Sequence, residues 1–175
     1  MELIQQQNRI KTQLTGCLDI VFPELFRFFK GNLHLKTSYA LLEKHPSAKD
    51  IRSTRIDGLT NIPYNDSHGR YTYDNAVHLK NLAKESIGLD NLAIDIQIKC
   101  LITQLKLYQE QIKDIDLSIR TLMEIINSPI TSIPGIGYIL GAMIISEIGD
   151  IKRFSNPSKL LAFAGLDPVI KQSGN

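Results

Sequence analysis

The apolar positions between residues 94 and 126 repeat in alternating steps of four and three residues, with no Gly or Pro among them. This spacing is the heptad seam of a coiled coil. At about 1.5 Å per residue, the predicted helix is a rod of roughly 50 Å. The seam residues that we expect to mediate dimerisation are Ile98, Leu101, Leu105, Tyr108, Ile112, Ile115, Ile119 and Leu122.

The pattern leaves the partner of this helix open. β-Branched residues at the first seam position with some Leu at the second favour two strands. Gln97, Gln104 and Gln111 flank the seam without charge, so they specify neither a partner nor a direction. Ile102 and Met123 widen the apolar stripe, which indicates packing against the earlier helices as well. We expect a homodimer or a higher homo-oligomer, with an antiparallel hairpin inside one chain as the alternative.

The remaining chain also has helical periodicity, and no period of two persists anywhere. Residues 2–21 and 73–87 carry apolar stripes, and residues 61–69 have the composition of a turn. The sequence therefore predicts an all-α fold: a helical bundle with a long projecting coiled-coil helix, followed by a helix-hairpin-helix element. We predict two domains, residues 1–127 for the helical dimerisation region and residues 128–175 for the start of a second domain.

The composition excludes several classes of protein. Hydrophobic residues make up 43% of the 175 positions, so the chain is not a disordered tail. A net charge of +2 leaves any nucleic-acid binding to local clusters. No apolar run reaches the roughly 20 residues of a membrane span, and no signal peptide is visible, so we expect a soluble, cytoplasmic protein that does not contact membranes. Cys17 and Cys100 are expected to be reduced and packed in the core.

A run of Ile-Pro-Gly-Ile-Gly at residues 133–137 follows the long helix. Two glycines let the backbone turn tightly, so that N–H groups at the start of the next helix face outward and suit a phosphate. The alternative is a tight turn whose glycines permit close helix packing. The residues that we predict to bind nucleic acid are Gly135, Ile136, Gly137, Lys152, Arg153, Lys159 and Lys171.

The acidic residues do not assemble a nuclease site. Most of those on the heptad helix are typical of a solvated face, and Glu147 and Asp150 are better explained by capping or surface solvation than by a metal. The four histidines have no ligand spacing with each other or with the cysteines, so we predict no metal site and no zinc. The sequence contains neither a Walker loop nor a dinucleotide fingerprint.

From Ser132 onward the chain reads SIPGIGYILGAMIISEIGDIKRFSNPSKLLAFAGLDPVIKQSG. This segment resembles the C-terminal domain of transposases of the insertion-sequence-110 family, the group that includes insertion sequences 116 and 902. The PGIG hairpin, the SEIGDIKRF segment, the KLLAFAGLDP helix end and the closing QSG match in order and spacing. The upstream FPELF and LLEKHPSA elements and the long helix resemble the family more loosely.

The resemblance implies a DNA recombinase that cuts and rejoins strands, in some members guided by a structured RNA. It also implies DNA as a partner, an N-terminal acidic domain that binds divalent metal, and a catalytic serine, which is Ser173 in the QSG of this sequence. A hydroxyl becomes a competent nucleophile once a metal or a base helps to remove its proton.

This sequence departs from the family pattern at both ends. The N-terminal acidic motifs and the segment beyond QSG are absent, so we expect a middle fragment that is catalytically inert alone. We expect no cofactor in the fragment, and a divalent metal such as magnesium in a full-length parent. The competing interpretation is a non-catalytic coiled-coil dimerisation module whose hairpin only packs helices.

Overall fold

The computed structural model describes residues 2–64 and 72–166, and these residues form helices without a strand. The all-α prediction is therefore confirmed. The α-helices are α1 (Glu2–Val21), α2 (Leu25–Phe28), α3 (Lys36–Lys44), α4 (Ala48–Ser53), α5 (Ile56–Tyr64), α6 (Tyr73–Glu85), α7 (Leu92–Ile126), α8 (Tyr138–Ile148) and α9 (Pro157–Phe163). Short 3-10 turns occupy Pro129–Ser132 and Ile151–Arg153. Among the helices of the described residues, none combines the length and apolar character needed to cross a bilayer.

The chain packs as two compact units, Met1–Asp114 and Ile115–Asn175. This division falls within α7, which is one helix of 35 residues. The domain boundary that we placed after residue 127 stays a prediction.

The first unit has a continuous apolar core. Helix α1 buries one face because its apolar residues recur every three or four positions, from Ile10 to Val21. Helix α7 contributes the beginning of its seam to the same core. The largest fully buried side chains of this unit are Phe22, Leu14, Leu18, Leu25, Leu41, Leu42, Ile51, Leu59, Leu79, Ile98, Ile102 and Leu105.

Gly88 is required by a close approach of two backbone segments. A Cβ at this position would lie 2.2 Å from the carbonyl oxygen of Val21. The neighbouring N–H of Leu89 donates to the carbonyl of Ile20 at 2.8 Å, which holds the linker before α7 against the end of α1. Helix α6 ends earlier, with Ser86 as its C-cap. The glycine therefore serves packing between segments and does not cap a helix.

Two local expectations are wrong. The turn composition of residues 61–69 does not end α5, which continues through Tyr64; residues 65–69 lie outside the described part of the chain. The buried Leu59 anchors this helix, and tertiary packing of this kind overrides weak local propensity. Both cysteines are free, as expected, but only Cys17 is buried, because Cys100 lies on α7 away from the seam and is exposed.

The described part of the second unit exposes most of its large apolar side chains. Met123 is buried against α8, where its Cε would lie 3.2 Å from a Cβ built on Gly141. Large apolar side chains on the surface of this unit include Ile115, Leu122, Ile125, Ile126, Ile133, Leu140, Met143, Leu161 and Phe163. Exposed apolar surface on this scale is typical of interaction surfaces in general.

Candidate nucleic-acid interface

The predicted hairpin is a tight β-turn that leads into α8. The N–H of Ile136 donates to the carbonyl of Ile133 at 3.0 Å, which closes a four-residue turn. Pro134 and Gly135 are its central residues, and Gly135 has a φ of +89°. A type II turn requires a positive φ at this third position and favours Pro before it. The Pro-Gly pair is therefore explained by the turn itself.

Gly137 is the N-cap of α8 and leaves the start of the helix open. Its φ of −81° is accessible to any residue, and a Cβ built there would meet no described heavy atom within 4 Å. The first intrahelical bond runs from the N–H of Gly141 to the carbonyl of Gly137 at 2.8 Å. The preceding N–H groups of Tyr138, Ile139 and Leu140 have no backbone partner among the described residues. They can donate to an anion, which the helix dipole also favours.

Gly141 is the residue that packs this region, and sequence reasoning missed it. It is buried, and a Cβ there would lie 3.1 Å from Cγ2 of Ile130 and 3.2 Å from Cε of Met123. The absence of a side chain lets α8 approach the end of α7 and the 3-10 turn. Its spacing of four residues from Gly137 was the available signal, since small residues one helical turn apart permit close approach. The packing role is thus carried by Gly141, while Gly137 faces open space.

The predicted cations do not gather around the hairpin. Lys152 and Arg153 follow the C-terminal end of α8, and the 11 residues of this helix separate them from Gly137 by roughly 16 Å. At that distance they cannot share one phosphate site with the turn before α8. Lys159 lies in α9, where the side chain of Asn156 caps the helix by accepting from its N–H at 3.0 Å.

Arg120 is a cation beside the hairpin that sequence reasoning also missed. Its guanidinium carbon lies 5.6 Å from the centre of the Tyr138 ring, at the first residue of α8. This cation–π contact places a positive charge near the open end of the helix. The signal was a basic residue at every seventh position of the long helix: Lys99, Lys106, Lys113 and Arg120.

The predicted dimerisation seam has two environments. Ile98, Leu101 and Leu105 are buried among the helices of the first unit, and Tyr108 packs partly against the same core. Ile112 and Ile119 are half-buried, whereas Ile115 and Leu122 are 46% and 58% exposed. The part of the seam that remains accessible to a second chain is therefore its C-terminal part.

Two predicted residues, Lys171 and Ser173, lie outside the described part of the chain, so the structure says nothing of them. Within the described ranges 2–64 and 72–166, His, Cys, Asp and Glu side chains do not come together in groups of three or more that could hold a metal.

The chain is related to the transposases of bacterial insertion sequences. Residues 127–175 match the model of the Transposase IS116/IS110/IS902 family, which confirms the family recognised from the hairpin, the SEIGDIKRF segment and the closing QSG.

Several relatives align with this chain. It is 37% identical to the "Insertion element IS116 uncharacterized 44.8 kDa protein" of Streptomyces clavuligerus, over 95% of this chain and 41% of the relative. It is 24% identical to the "Insertion element IS110 uncharacterized 43.6 kDa protein" of Streptomyces coelicolor, over 99% of this chain and 44% of the relative. It is 32% identical to the "Transposase for insertion sequence element IS1111A" of Coxiella burnetii, over 54% of this chain and 26% of the relative.

The chain thus spans less than half the length of each of these relatives. No solved structure matches it.

Proposed function

We propose that this chain is part of a DNA transposase that binds nucleic acid and takes part in transposition by strand cleavage and rejoining. In this proposal, α8 and its preceding turn contact the DNA backbone, and the exposed part of the α7 seam pairs two copies of the chain. A structured guide RNA is a further candidate partner, and the cytoplasm is the expected location.

One observation carries the proposal. The open N-terminus of α8, with three N–H groups that have no backbone partner in the described part of the chain, lies inside the segment that matches the transposase family. Close packing in this region requires a glycine at position 141, where an added Cβ would crowd neighbouring side chains. At Gly137 an added Cβ would meet no described atom within 4 Å, so packing does not require a glycine there. A backbone that turns tightly and keeps its donors outward suits a phosphodiester strand better than a helix–helix contact.

The chemistry of strand cleavage belongs to the whole protein and is assigned here by resemblance. Ser173 is the proposed nucleophile on the DNA phosphate, and a divalent metal such as magnesium would help to remove its proton.

The second candidate function is a non-catalytic dimerisation module. The exposure of Ile115, Leu122 and Ile126 favours it, since an apolar stripe at heptad spacing is a pairing surface. The two functions differ in salt-dependent binding to nucleic acid. Only a phosphate-binding site has an affinity for DNA that falls as the salt concentration rises.

Titration of labelled duplex DNA with the chain at 50 and 200 mM salt tests the proposal. If about three phosphates are neutralised, by Arg120 beside the hairpin and by Lys152 and Lys159 farther along the chain, affinity for DNA should fall by more than tenfold between the two salt concentrations. Gly137→Ala adds a methyl group beside the open N–H groups and should weaken binding by about tenfold, which corresponds to ~1.4 kcal/mol. Its cost in stability should stay within about 1 kcal/mol, the usual range for an N-cap change.

Gly16→Ala is the matched control, because Gly16 is also exposed with no described atom within 4 Å of an added Cβ. It should leave binding unchanged. Gly141→Ala is the packing control and should lower the thermal stability of the second unit. Salt-independent binding, or no binding at all, would support the dimerisation module instead.

A further inference from the structure

An arginine and two phenylalanines form a cluster on the surface of the second unit. The guanidinium carbon of Arg153 lies 4.7 Å from the ring centre of Phe154 and 4.7 Å from that of Phe163. The two ring centres are 5.3 Å apart, with 54° between the ring planes. We call these three residues the Arg-Phe cluster. Arg153 is one of the residues predicted to bind nucleic acid, and its guanidinium lies against both rings.

The cluster is exposed although two of its members are large and apolar. Phe163 is 49% exposed and Arg153 is also exposed, while Phe154 is half-buried. The contacts hold the guanidinium plane in place, because the rings attract it through their π faces. A fixed guanidinium plane beside an exposed ring is a surface on which a flat, aromatic group can stack.

An apolar groove adjoins the cluster, and Phe163 belongs to both. The groove has a volume of about 490 Å³. Its lining is apolar except for one carboxylate, and consists of Leu140, Met143, Ile144, Glu147 and Ile148 from α8 with Leu160, Phe163 and Ala164 from α9. The volume is sufficient for an aromatic ring system.

Cations flank this surface. Lys152 precedes Arg153, and Lys159 lies on α9 one turn before Phe163. Neither lysine forms an ion pair within the described residues, so both ammonium groups can pair with an external anion. Among the described residues, the nearby carboxylates are Glu147 in the groove and Asp150, whose side chain accepts from the N–H of Lys152 at 2.9 Å. Within this part of the chain, three cations thus stand against two carboxylates.

We propose that the Arg-Phe cluster and the adjoining groove bind an unpaired base of single-stranded DNA. The base stacks on the Arg153 plane and the Phe163 ring, and the flanking phosphates contact Lys152 and Lys159. A base has a flat π face and a phosphate carries a negative charge, so one nucleotide matches both parts of the surface. This inference rests on the proposed nucleic-acid function, because cleavage and rejoining of strands expose unpaired bases.

The test uses a single-stranded oligonucleotide that contains the fluorescent base 2-aminopurine. Stacking should quench its fluorescence on binding to the intact chain. Phe163→Leu keeps the apolar volume but removes the ring, and it should weaken binding by about tenfold and abolish the quenching. Arg153→Lys keeps the charge but removes the planar group, and it should reduce the quenching as well.

Leu161→Ala is the matched control, because Leu161 is exposed on the same helix outside the cluster and the groove. It should leave binding and quenching unchanged. Circular dichroism melting curves of all variants establish that their fold is intact, which is expected because the substituted side chains are exposed.

The outcomes separate this inference from the proposed function. Salt-sensitive duplex binding that Phe163→Leu leaves intact, together with loss of single-strand quenching, supports the inference. If the chain binds duplex DNA but does not quench the 2-aminopurine of the single strand, the inference alone is overturned. If the chain binds neither duplex nor single-stranded DNA, the proposed function is overturned too. Equal loss of duplex and single-strand binding in Phe163→Leu, or tighter binding of the matching RNA than of DNA, also overturns it.

Discussion

Asp95 places a carboxylate inside the first unit with too few partners. It is 9% exposed, and its Oδ1 has no hydrogen-bond partner among the described residues. Its Oδ2 lies 3.4 Å from Oγ of Ser47, which lies 3.3 Å from Oδ2 of Asp50 as well. The hydroxyl has a single proton and can donate to one of the two carboxylates. Burial, and secondarily the charge of Asp50, raise the pKa of Asp95.

Asp95→Asn should therefore stabilise the chain by roughly 1 kcal/mol at pH 7, because it removes a buried charge with an unmet hydrogen bond. A raised pKa means that the penalty is complete above the folded-state pKa and disappears as pH falls below the ordinary value. Urea denaturation at pH 7 and at mildly acidic pH should show the gain shrinking in acid. Asp90→Asn, which breaks an exposed pair with Arg52, is the control and should destabilise by less than about 1 kcal/mol. Destabilisation by Asp95→Asn would mean that the charge has a compensating partner.

His34 is held as a neutral imidazole by its neighbours. Its Nδ1 lies 3.1 Å from the hydroxyl of Tyr39, and its Nε2 lies 3.4 Å from Oγ1 of Thr15. Thr15 already donates its hydroxyl proton to the carbonyl of Lys11, so it accepts from Nε2–H, and Nδ1 accepts from Tyr39. Burial, and then the charge of Lys11, lower the pKa of His34. Burial raises the pKa of Tyr39 to about 12, so this hydroxyl keeps its proton.

Stability should consequently fall as pH drops below about 6.5, the ordinary histidine pKa. In that range His34 binds a proton in the unfolded chain but stays neutral in the folded chain. A charged imidazole could no longer accept the hydrogen bond from Tyr39. Thermal melting between pH 7.5 and 5.5 measures this loss. His34→Asn should flatten the pH dependence in part, because burial also lowers the pKa of His45. An unchanged pH profile in this variant would exclude His34 as its source.

At the scale of elements, α7 is one helix whose seam lies in two environments. Its beginning is core, as the complete burial of Ile98 and Leu105 shows, while Leu122 and Ile126 are more than half exposed. Asn91 caps the helix by accepting from the N–H of Ala93 at 3.0 Å. A single heptad pattern therefore spans an internal contact and an open surface.

Substitutions at the two parts of this seam should separate folding from association. Ile98→Ala should destabilise the first unit by about 2–5 kcal/mol, the usual cost of such a truncation in a core. Leu122→Glu should leave the unfolding transition nearly unchanged and reduce the mass in solution from that of a dimer to that of a monomer. Sedimentation equilibrium of both variants measures the mass. A Leu122→Glu variant with the mass of the parent would place the pairing surface elsewhere.

At the scale of the whole molecule, the two units differ in how much they bury. The first unit has a continuous core, whereas the described part of the second buries Met123 and Gly141 and exposes many large apolar side chains. Local opening depends on the buried contacts that must break, so the second unit should open more readily.

Hydrogen exchange followed by mass spectrometry tests this difference. Amides of α8 and α9 should exchange about a hundredfold faster than the central amides of α1. Added DNA should slow exchange in α8 if the proposed function holds, and leave α1 unaffected. Equal exchange rates in the two units would show that the second is as firmly packed as the first.

Much of this protein was predictable from local sequence. The period of the apolar residues predicts the long helix and the all-α fold, Asn156 and Pro157 predict the start of α9, and Pro134 with Gly135 predicts the turn before α8. The family was also recognisable, because an ordered run of short segments is a property of sequence alone. These features depend on backbone preferences and on neighbours a few residues away, which the chain carries wherever it folds.

Only the tertiary structure decided which side chains of these helices are buried and which are exposed. The heptad pattern is the same along α7, yet Leu105 is buried and Leu122 is exposed, because burial depends on which other helices reach each position. Local sequence does not show which of Gly137 and Gly141 is needed for packing. Of these two, only Gly141 would place an added Cβ against side chains of the described residues. The sequence shows that Arg153 is a cation, but only the fold shows that the rings of Phe154 and Phe163 lie beside its guanidinium. The sequence of each segment determines which apolar and charged side chains it carries. Contacts between distant segments determine which of these side chains are buried and which are exposed.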